Sequence, residues 1–389
     1  LQAKFGIEVA KDLITVMGRE LDVPSVTYRD QRSVDPRDGG WLMKGVKVAS
    51  PGSFIADWSY LHSGIGETGR MIRRSVEDFA AFLATRIGVN MNQRPTQPDG
   101  EFTRFDGSDL KRALDNLKGL RPRLQLVLVV LPEKSTELYS IIKKLADTEY
   151  GFHTVCVTQP KFLKQQGQLG YFSNVALKVN LKFGGVNHLL KDQSGIMSRG
   201  KTMFVGYDVT HPTNLPPGVR RENSPSLVGL VASVDKHLAQ WPSVSWNNPE
   251  RVEMLGDELV INFQSRLKLW QSRNGGRLPE DIVIFRDGVS EGQFSQVLAK
   301  ELPFIRKACD LTYTAISARS PRITLIVSVK RHQTRFYPTD PAHMHQRSKS
   351  PKEGTVVDRG VTNVRYWDFF LQAHASLQGK HALLLILSW

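Results

Sequence analysis

Cysteine is almost absent, with Cys156 and Cys309 the only two among 389 residues. Two thiols so far apart make neither a disulfide framework nor a zinc-ligand cluster, and they fit a reducing compartment. Long apolar stretches are missing too. The longest runs, 126–131 and 382–387, have strand length and fall far short of a membrane span. No basic segment leading into an apolar core opens the chain, and neither a repeat nor a low-complexity tract is visible. Acidic residues are the scarcer charge: 38 Asp+Glu face 52 Lys+Arg, a formal net charge of +14. That excess is local. Residues 111–201 carry 15 Lys+Arg against 6 Asp+Glu. Positive charge gathered in this way favours a polyanion such as nucleic acid, with a basic solubilising face as the bland alternative.

A chain of this length exceeds one ordinary core, so two or three domains are expected. Its 40% hydrophobic and 23% charged residues are the balance of a globular protein. It opens on Leu1 rather than Met, as a piece of a longer chain would. Apolar spacing predicts a helix over 4–21 ending near Gly18, a linker over 22–60, a helix over 71–87 and a polar loop over 90–107. Residues 124–131 read as a buried parallel strand ended by Pro132. Ser135 or Thr136 then caps a helix running to about Glu149 and stopped at Gly151, and a second strand follows over 153–157. That order is a βαβ unit. A second α/β region begins near Gly184, with strands over 203–207, 227–234, 282–285 and 323–329. Helices are expected over 249–271 and 294–308, and a basic loop over 343–353.

Two strands of this second region run into an acid: Asp208 in MFVGYDVTHP and Asp287 in IVIFRDGVSEGQF. Strand ends of open α/β sheets collect ligands and catalytic groups. Carboxylates on neighbouring strand ends offer the hard oxygen donors that Mg²⁺ (or Mn²⁺) takes, and two such ions suit in-line phosphodiester hydrolysis. The plain alternative is that Asp-Gly marks a turn and that Asp208 closes its strand. Ser290 and Gln293 resemble a capping box, and His211 reads as a hydrogen-bonding rather than a ligating histidine.

A cationic constellation lies upstream. Tyr139 and Lys143 stand at i and i+4 on the capped helix, whose N-terminal N–H groups suit a phosphate. Lys178 and Lys182 share one face whether their segment is helix or strand. An aromatic ring to stack a base and ammonium groups to neutralise a terminal phosphate would recognise an RNA 5′-end. A solvated lysine face and a core-edge tyrosine remain the simpler readings.

GYDVTHP, IVIFRDGVSEGQF, SVKRHQTRFYP, GTVVDRGV and FFLQAHASLQG together resemble the PIWI domain of eukaryotic, fungal-like Argonautes. LYSIIKK, TVCV and SNVALKVNLKFGGVNHLL resemble the MID domain before it. The resemblance implies an α/β protein, with a Rossmann-like MID domain followed by an RNase H-like PIWI domain. It places a PAZ-like tail at 1–21, a linker at 22–60, MID at 61–185 and PIWI at 186–389. It implies that Tyr139, Lys143, Cys156, Lys178 and Lys182 bind the guide 5′-end. Thr154 would substitute for a glutamine that many relatives carry where this chain has Val155. Lys330, Arg331, Arg335 and His374 would hold guide phosphates. Asp208 and Asp287 would be metal ligands, with Glu253, at the start of its helix, as the intervening catalytic glutamate and Glu250 as runner-up. The fourth ligand belongs some tens of residues beyond the LQG element, but after Gly379 the chain reads KHALLLILSW and stops, and His381 lacks the family's context. The implied partners are a small guide RNA, a complementary target RNA and silencing-complex proteins, with no membrane, in the cytoplasm or alternatively the nucleus. Three rivals stand beside the guided endoribonuclease: a guide binder that does not cleave, an inactive truncated product, and an unguided RNase H-type nuclease.

Overall fold

The computed structural model describes residues 2–6, 8–95, 100–101, 107–193, 195–213, 224–330, 332–346, 348–363, 367–374 and 384–388. Its contacts divide the chain into two compact units. One comprises Pro24–Asp35 with Trp41–Asp192, the other Leu1–Val23, Pro36–Gly40 and Gln193–Trp389.

In the first unit the uninterrupted apolar run forms strand β3 (Leu126–Leu131), buried at every position. It pairs in parallel with β1 (Trp58–His62) on one side and β4 (His153–Thr158) on the other, and β2 (Gly100–Glu101) pairs in parallel beyond β1. The sheet order β2-β1-β3-β4 is fully parallel, which requires crossover helices covering both faces. Helices α1 (Gly66–Phe82) and α4 (Gln168–Lys182) pack their apolar stripes in the core around Trp58, Leu128 and Val155. Helices α2 (Gly107–Leu120) and α3 (Thr136–Lys144) pack around Val127, Val129 and Leu131. The βαβ unit expected from sequence is therefore present. Ser135 caps α3 by accepting from Leu138 N at 3.2 Å, and Gly151 ends the wider turn over Leu145–Tyr150 in the left-handed conformation.

Residues 22–60 are more ordered than a linker. Val26–Thr27 pairs with both Ser33–Val34 and Leu189–Leu190, and the boundary drawn at residue 60 falls inside β1. The apolar residues around Val26 and Tyr28 have their own small core, which explains the pairing.

In the second unit nine strands among the described residues form one mixed sheet. Its central part runs β7 (Ser243–Asn248), β6 (Ser226–Ala232), β5 (Thr202–Thr210), β8 (Asp281–Asp287), β9 (Arg322–Val329). β6 is antiparallel to both β7 and β5, and β8 and β9 run parallel to β5. Beyond β9 lie β12 (Leu384–Ser388), β11 (Trp367–Leu371), β10 (Thr355–Val357) and the edge pair Arg19–Glu20. Helices α5 (Glu258–Arg273) and α6 (Leu302–Thr314) share a core with the sheet around Trp270, Phe263, Ile284 and Tyr313. This is the RNase H-like α/β arrangement that the motifs implied.

Two sequence expectations fail here. The helix over 4–21 is absent: Gln2–Phe5 forms one short turn, and the chain then runs irregularly to an edge strand at Arg19–Glu20. Leu13, Ile14 and Met17 stay exposed, so no core rewards a helical apolar stripe. The helix expected from residue 249 starts at Glu258, leaving Glu253 in a loop rather than at a helix start. Side chains of other elements claim that loop's backbone, as described below.

Candidate functional site

The acidic site is assembled by strand register. Tyr207 on β5 and Arg286 on β8 are parallel partners, so Asp208 and Asp287 follow on strands about 4.8 Å apart. Asp208 lies within β5, which continues two residues further while paired with β6. Asp287 is the last residue of β8. Gly288, at φ +89°, explains the Asp-Gly pair beyond turn chemistry. A Cβ there would stand 2.7 Å from Asp208 Oδ1 and 3.4 Å from Glu253 Oε1, so the glycine leaves room for two carboxylates.

Glu253 enters between Arg286 and His211. Its Oε2 lies 2.9 Å from His211 Nε2, whose Nδ1 lies 2.9 Å from Ser226 Oγ. Its Oε1 lies 2.9 Å from Arg286 Nη1 but, although buried, makes no hydrogen bond. Glu250 instead faces Arg251, at 3.7 Å. His211 thus has the hydrogen-bonding role its sequence context suggested, and Ser290 with Gln293 forms the expected capping box.

Compensating cations surround the acids. Lys330 Nζ lies 2.6 Å from Asp287 Oδ2, while Gly288 N donates to Oδ1 at 2.9 Å. Arg286 is fully buried and donates to both oxygens of Glu301, also fully buried, at 3.1 Å. Burial is the largest influence and opposes the Arg286 charge, but the hydrogen bonds to Glu301 together with the charges of Glu301, Tyr207 and Glu253 outweigh it, so its pKa is raised. The Tyr207 hydroxyl donates to Glu301 at 2.9 Å and is pushed well above its ordinary range, first by burial and then by that carboxylate. Arg286 and Glu301 were missed in the sequence. The available signal was an arginine inside an apolar strand, which demands a buried partner.

Among the described residues no group of three or more His, Cys, Asp or Glu side chains is arranged to hold a metal ion. Asp287 is engaged by Lys330 instead. The donor chemistry nevertheless fits a hard divalent cation: every donor is a carboxylate oxygen, and Glu253 Oε1 is buried without a hydrogen bond beside Asp208.

The basic pocket lies in the other unit. Lys143, on the last turn of α3, donates to the carbonyl and hydroxyl of buried Thr154 at 2.7 and 2.8 Å, and its Nζ lies 5.5 Å from the Tyr139 ring centroid. Burial lowers the Lys143 pKa. Cys156 works the other way, and Lys182 and Lys178 lower it further. The Cys156 thiol is pushed up by burial, against the pull of the same three lysines. Lys143 of α3 is thus bonded to β4, and Lys178 and Lys182 of α4 lie within electrostatic reach of the same strand. His153, at the start of β4 and in edge contact with Phe183, is held below its usual pKa by desolvation and then by Lys182. No sequence signal singled out His153.

Three of the four residues expected to hold guide phosphates are described. Lys330 faces Asp287. Arg335 donates to the carbonyls of His332 and Thr334 at 2.8 Å, and His374 is exposed after β11. Arg331, Gly379 and His381 lie outside the described residues.

The family model described as the Piwi domain matches residues 126–385. The chain belongs to the Piwi-domain family. It is 32% identical to protein argonaute 5 of Arabidopsis thaliana over 97% of its own length and 38% of the relative's. It matches the MID-PIWI domains of N. crassa QDE-2 at 46% identity and a TM-score of 0.62, covering 72% of this chain and 76% of that one. It also matches Kluyveromyces polysporus Argonaute, solved with a guide RNA, at 26% identity and a TM-score of 0.79, over 95% and 47% of the two chains. The fungal-like Argonaute resemblance read from the motifs is thereby borne out. The chain spans less than two fifths of the length of the curated relatives it matches. Among the described residues, no Piwi-family helix here is long and apolar enough to cross a membrane.

Proposed function

We propose that this chain acts in small-RNA-guided RNA silencing, binding a 5′-phosphorylated guide RNA in a MID-like region, 61–185. A PIWI-like region, 186–389, would cleave the complementary target. On this reading 1–21 is a PAZ-like tail and 22–60 an ordered connector, and the setting is cytoplasmic, with the nucleus and silencing-complex proteins as further expectations. What supports the reading is Lys143 anchored on Thr154 beside the Tyr139 ring, with Lys178 and Lys182 within electrostatic reach of it and of Cys156. Like charges that repel one another are stabilised by a dianion, and Tyr139, half exposed beside Lys143, offers a stacking face for the first base.

For cleavage, Asp208 and Asp287 would hold Mg²⁺ (or Mn²⁺), with Glu253 completing the carboxylate set. When bound there, the ions supply the charge neutralisation that in-line phosphodiester hydrolysis needs. Arg286 and His211 hold Glu253 facing Asp208. Lys330 must leave Asp287 before that carboxylate can serve, and a guide phosphate is the anion that would draw it away. A second reading, a guide binder that does not cleave, is favoured by that same ion pair, because Asp287 is already neutralised.

The test has two arms at one fixed salt concentration, because backbone contacts make affinity steeply salt-dependent. Binding of 5′-phosphate RNA is compared with 5′-hydroxyl RNA, and a matched target is then supplied with Mg²⁺. Equal affinity for both RNAs, unchanged by Lys182→Ala, defeats the guide reading and favours an unguided nuclease. Phosphate-dependent binding without target cleavage leaves the non-cleaving binder.

A further inference from the structure

Glu253 sits in a loop, 249–257, that has no strand partner. Side chains from elsewhere hold it almost residue by residue. Ser226 Oγ accepts from Arg251 N at 3.0 Å, and Arg251 itself adopts a left-handed φ of +55°. Asn248 Nδ2 donates to Val252 O at 2.6 Å, and Arg286 Nη2 donates to Glu253 O at 2.9 Å. Glu301 Oε1 accepts from Leu255 N at 3.0 Å. A strained, non-glycine left-handed residue persists only where its surroundings over-determine it.

Glu301 is the node of this arrangement. It closes a π-helical turn, Val297–Glu301, immediately before α6. Such turns insert one residue into a helix and are frequent at functional sites. Here the turn delivers a carboxylate to a fully buried position. Both oxygens are used: Oε1 by Leu255 N and Arg286 Nη2, Oε2 by the Tyr207 hydroxyl and Arg286 Nε. One side chain thus fixes the backbone two residues beyond Glu253 and also the guanidinium that grips Glu253.

We propose that Glu301 is a positioning residue that sets the place of Glu253 by binding the Leu255 amide and bracing Arg286. It touches neither RNA nor metal. The role rests on reading Glu253 as part of the acidic site, and the experiment is chosen to separate the two. Glu301→Gln keeps the volume and one acceptor oxygen but loses the ion pair. Amide hydrogen exchange of the intact chain is measured, followed by target cleavage as a function of target concentration. Exchange of residues 252–256 is expected to rise about tenfold, the factor carried by one hydrogen bond to a charged acceptor, while exchange in β8 and β9 stays unchanged. Cleavage is expected to fall in kcat with KM retained. Tyr207→Phe removes only a bond to Oε2 and leaves Oε1 with the Leu255 amide and Arg286, so the loop's exchange is expected to stay within about twofold of the parent, the span of sites that do not couple. Equal acceleration across the whole sheet would show a merely structural role and overturn the proposal, as would an unchanged loop. If the parent chain fails to cleave, the nuclease reading falls, yet loop exchange still decides whether Glu301 positions Glu253.

Discussion

The acidic cluster and the basic pocket handle like charge in opposite ways. In the pocket, three lysines lie within electrostatic reach of one thiol, Lys178 and Lys182 both act on Lys143, and among the described residues no carboxylate hydrogen-bonds to them. In the cluster, every acid has a counter-charge or donor at hand: Lys330 for Asp287, Arg286 and His211 for Glu253, and the Val209 amide for Asp208. A cationic site that Asp147 offsets only in part is improved by an arriving anion. A compensated anionic site makes an arriving cation compete. The contrast predicts a guide pocket that is ready as folded and a cleavage site that needs rearrangement at Asp287.

The sharpest way to break the comparison is to remove one acid. Asp208→Ala or Asp287→Ala is expected to lose at least about a thousandfold in target cleavage, as groups acting as a unit do. Binding of 5′-phosphorylated guide should stay within about twofold, since neither acid shares a partner with the pocket lysines and substitutions at independent sites are nearly additive. Equal losses in both assays would mean the two regions are not separate sites. Next comes Arg286→Met. It strands Glu301 in the core and should cost about 3–5 kcal/mol in unfolding free energy, the range for breaking a buried pair. Chemical denaturation measures this, and a loss below about 1 kcal/mol would place that pair with solvent-screened ones.

A smaller effect is expected in the pocket. Lys182→Ala should cost about 10- to 100-fold in the preference for 5′-phosphate over 5′-hydroxyl RNA, the range for one charge-assisted bond. His153 refines this through pH. Its pKa is lowered, so it is largely neutral at pH 7, and a bound phosphate would raise that pKa and take up a proton. Affinity for phosphorylated guide should therefore rise as pH falls from 7.5 towards 6, by about two- to fivefold more than in His153→Gln, which also removes the phosphate's own titration from the comparison. The smallest change is expected from Lys330→Gln. Its exposed ion pair is worth at most about 1 kcal/mol, so Mn²⁺ affinity should tighten by no more than about fivefold. Unchanged affinity would show that the pair does not guard Asp287.

The legible parts of the site were those with a local cause. Ser135, Tyr139 and Lys143 follow from a cap and an i,i+4 spacing, and Lys178 and Lys182 from one helix face. Asp208 and Asp287 follow from apolar runs that end in acids. The amphipathic pattern after Pro249 predicts a helix from 249, but Asn248, Ser226 and Glu301 take the backbone groups that helix would use. The opening segment departs from its pattern for the converse reason: its apolar spacing has no core to meet.

Sequence alone determined which stretches become buried parallel strands, where α3 begins, and that basic residues gather between 111 and 201. These depend on periodicity, capping and composition within a few turns of chain. Only the tertiary structure decided that Glu253 rather than Glu250 faces Asp208, that Gly288 clears the space between them, and which cation neutralises which acid. Charge partners are chosen by the adjacency of strands that lie tens of residues apart, and no local pattern carries that information.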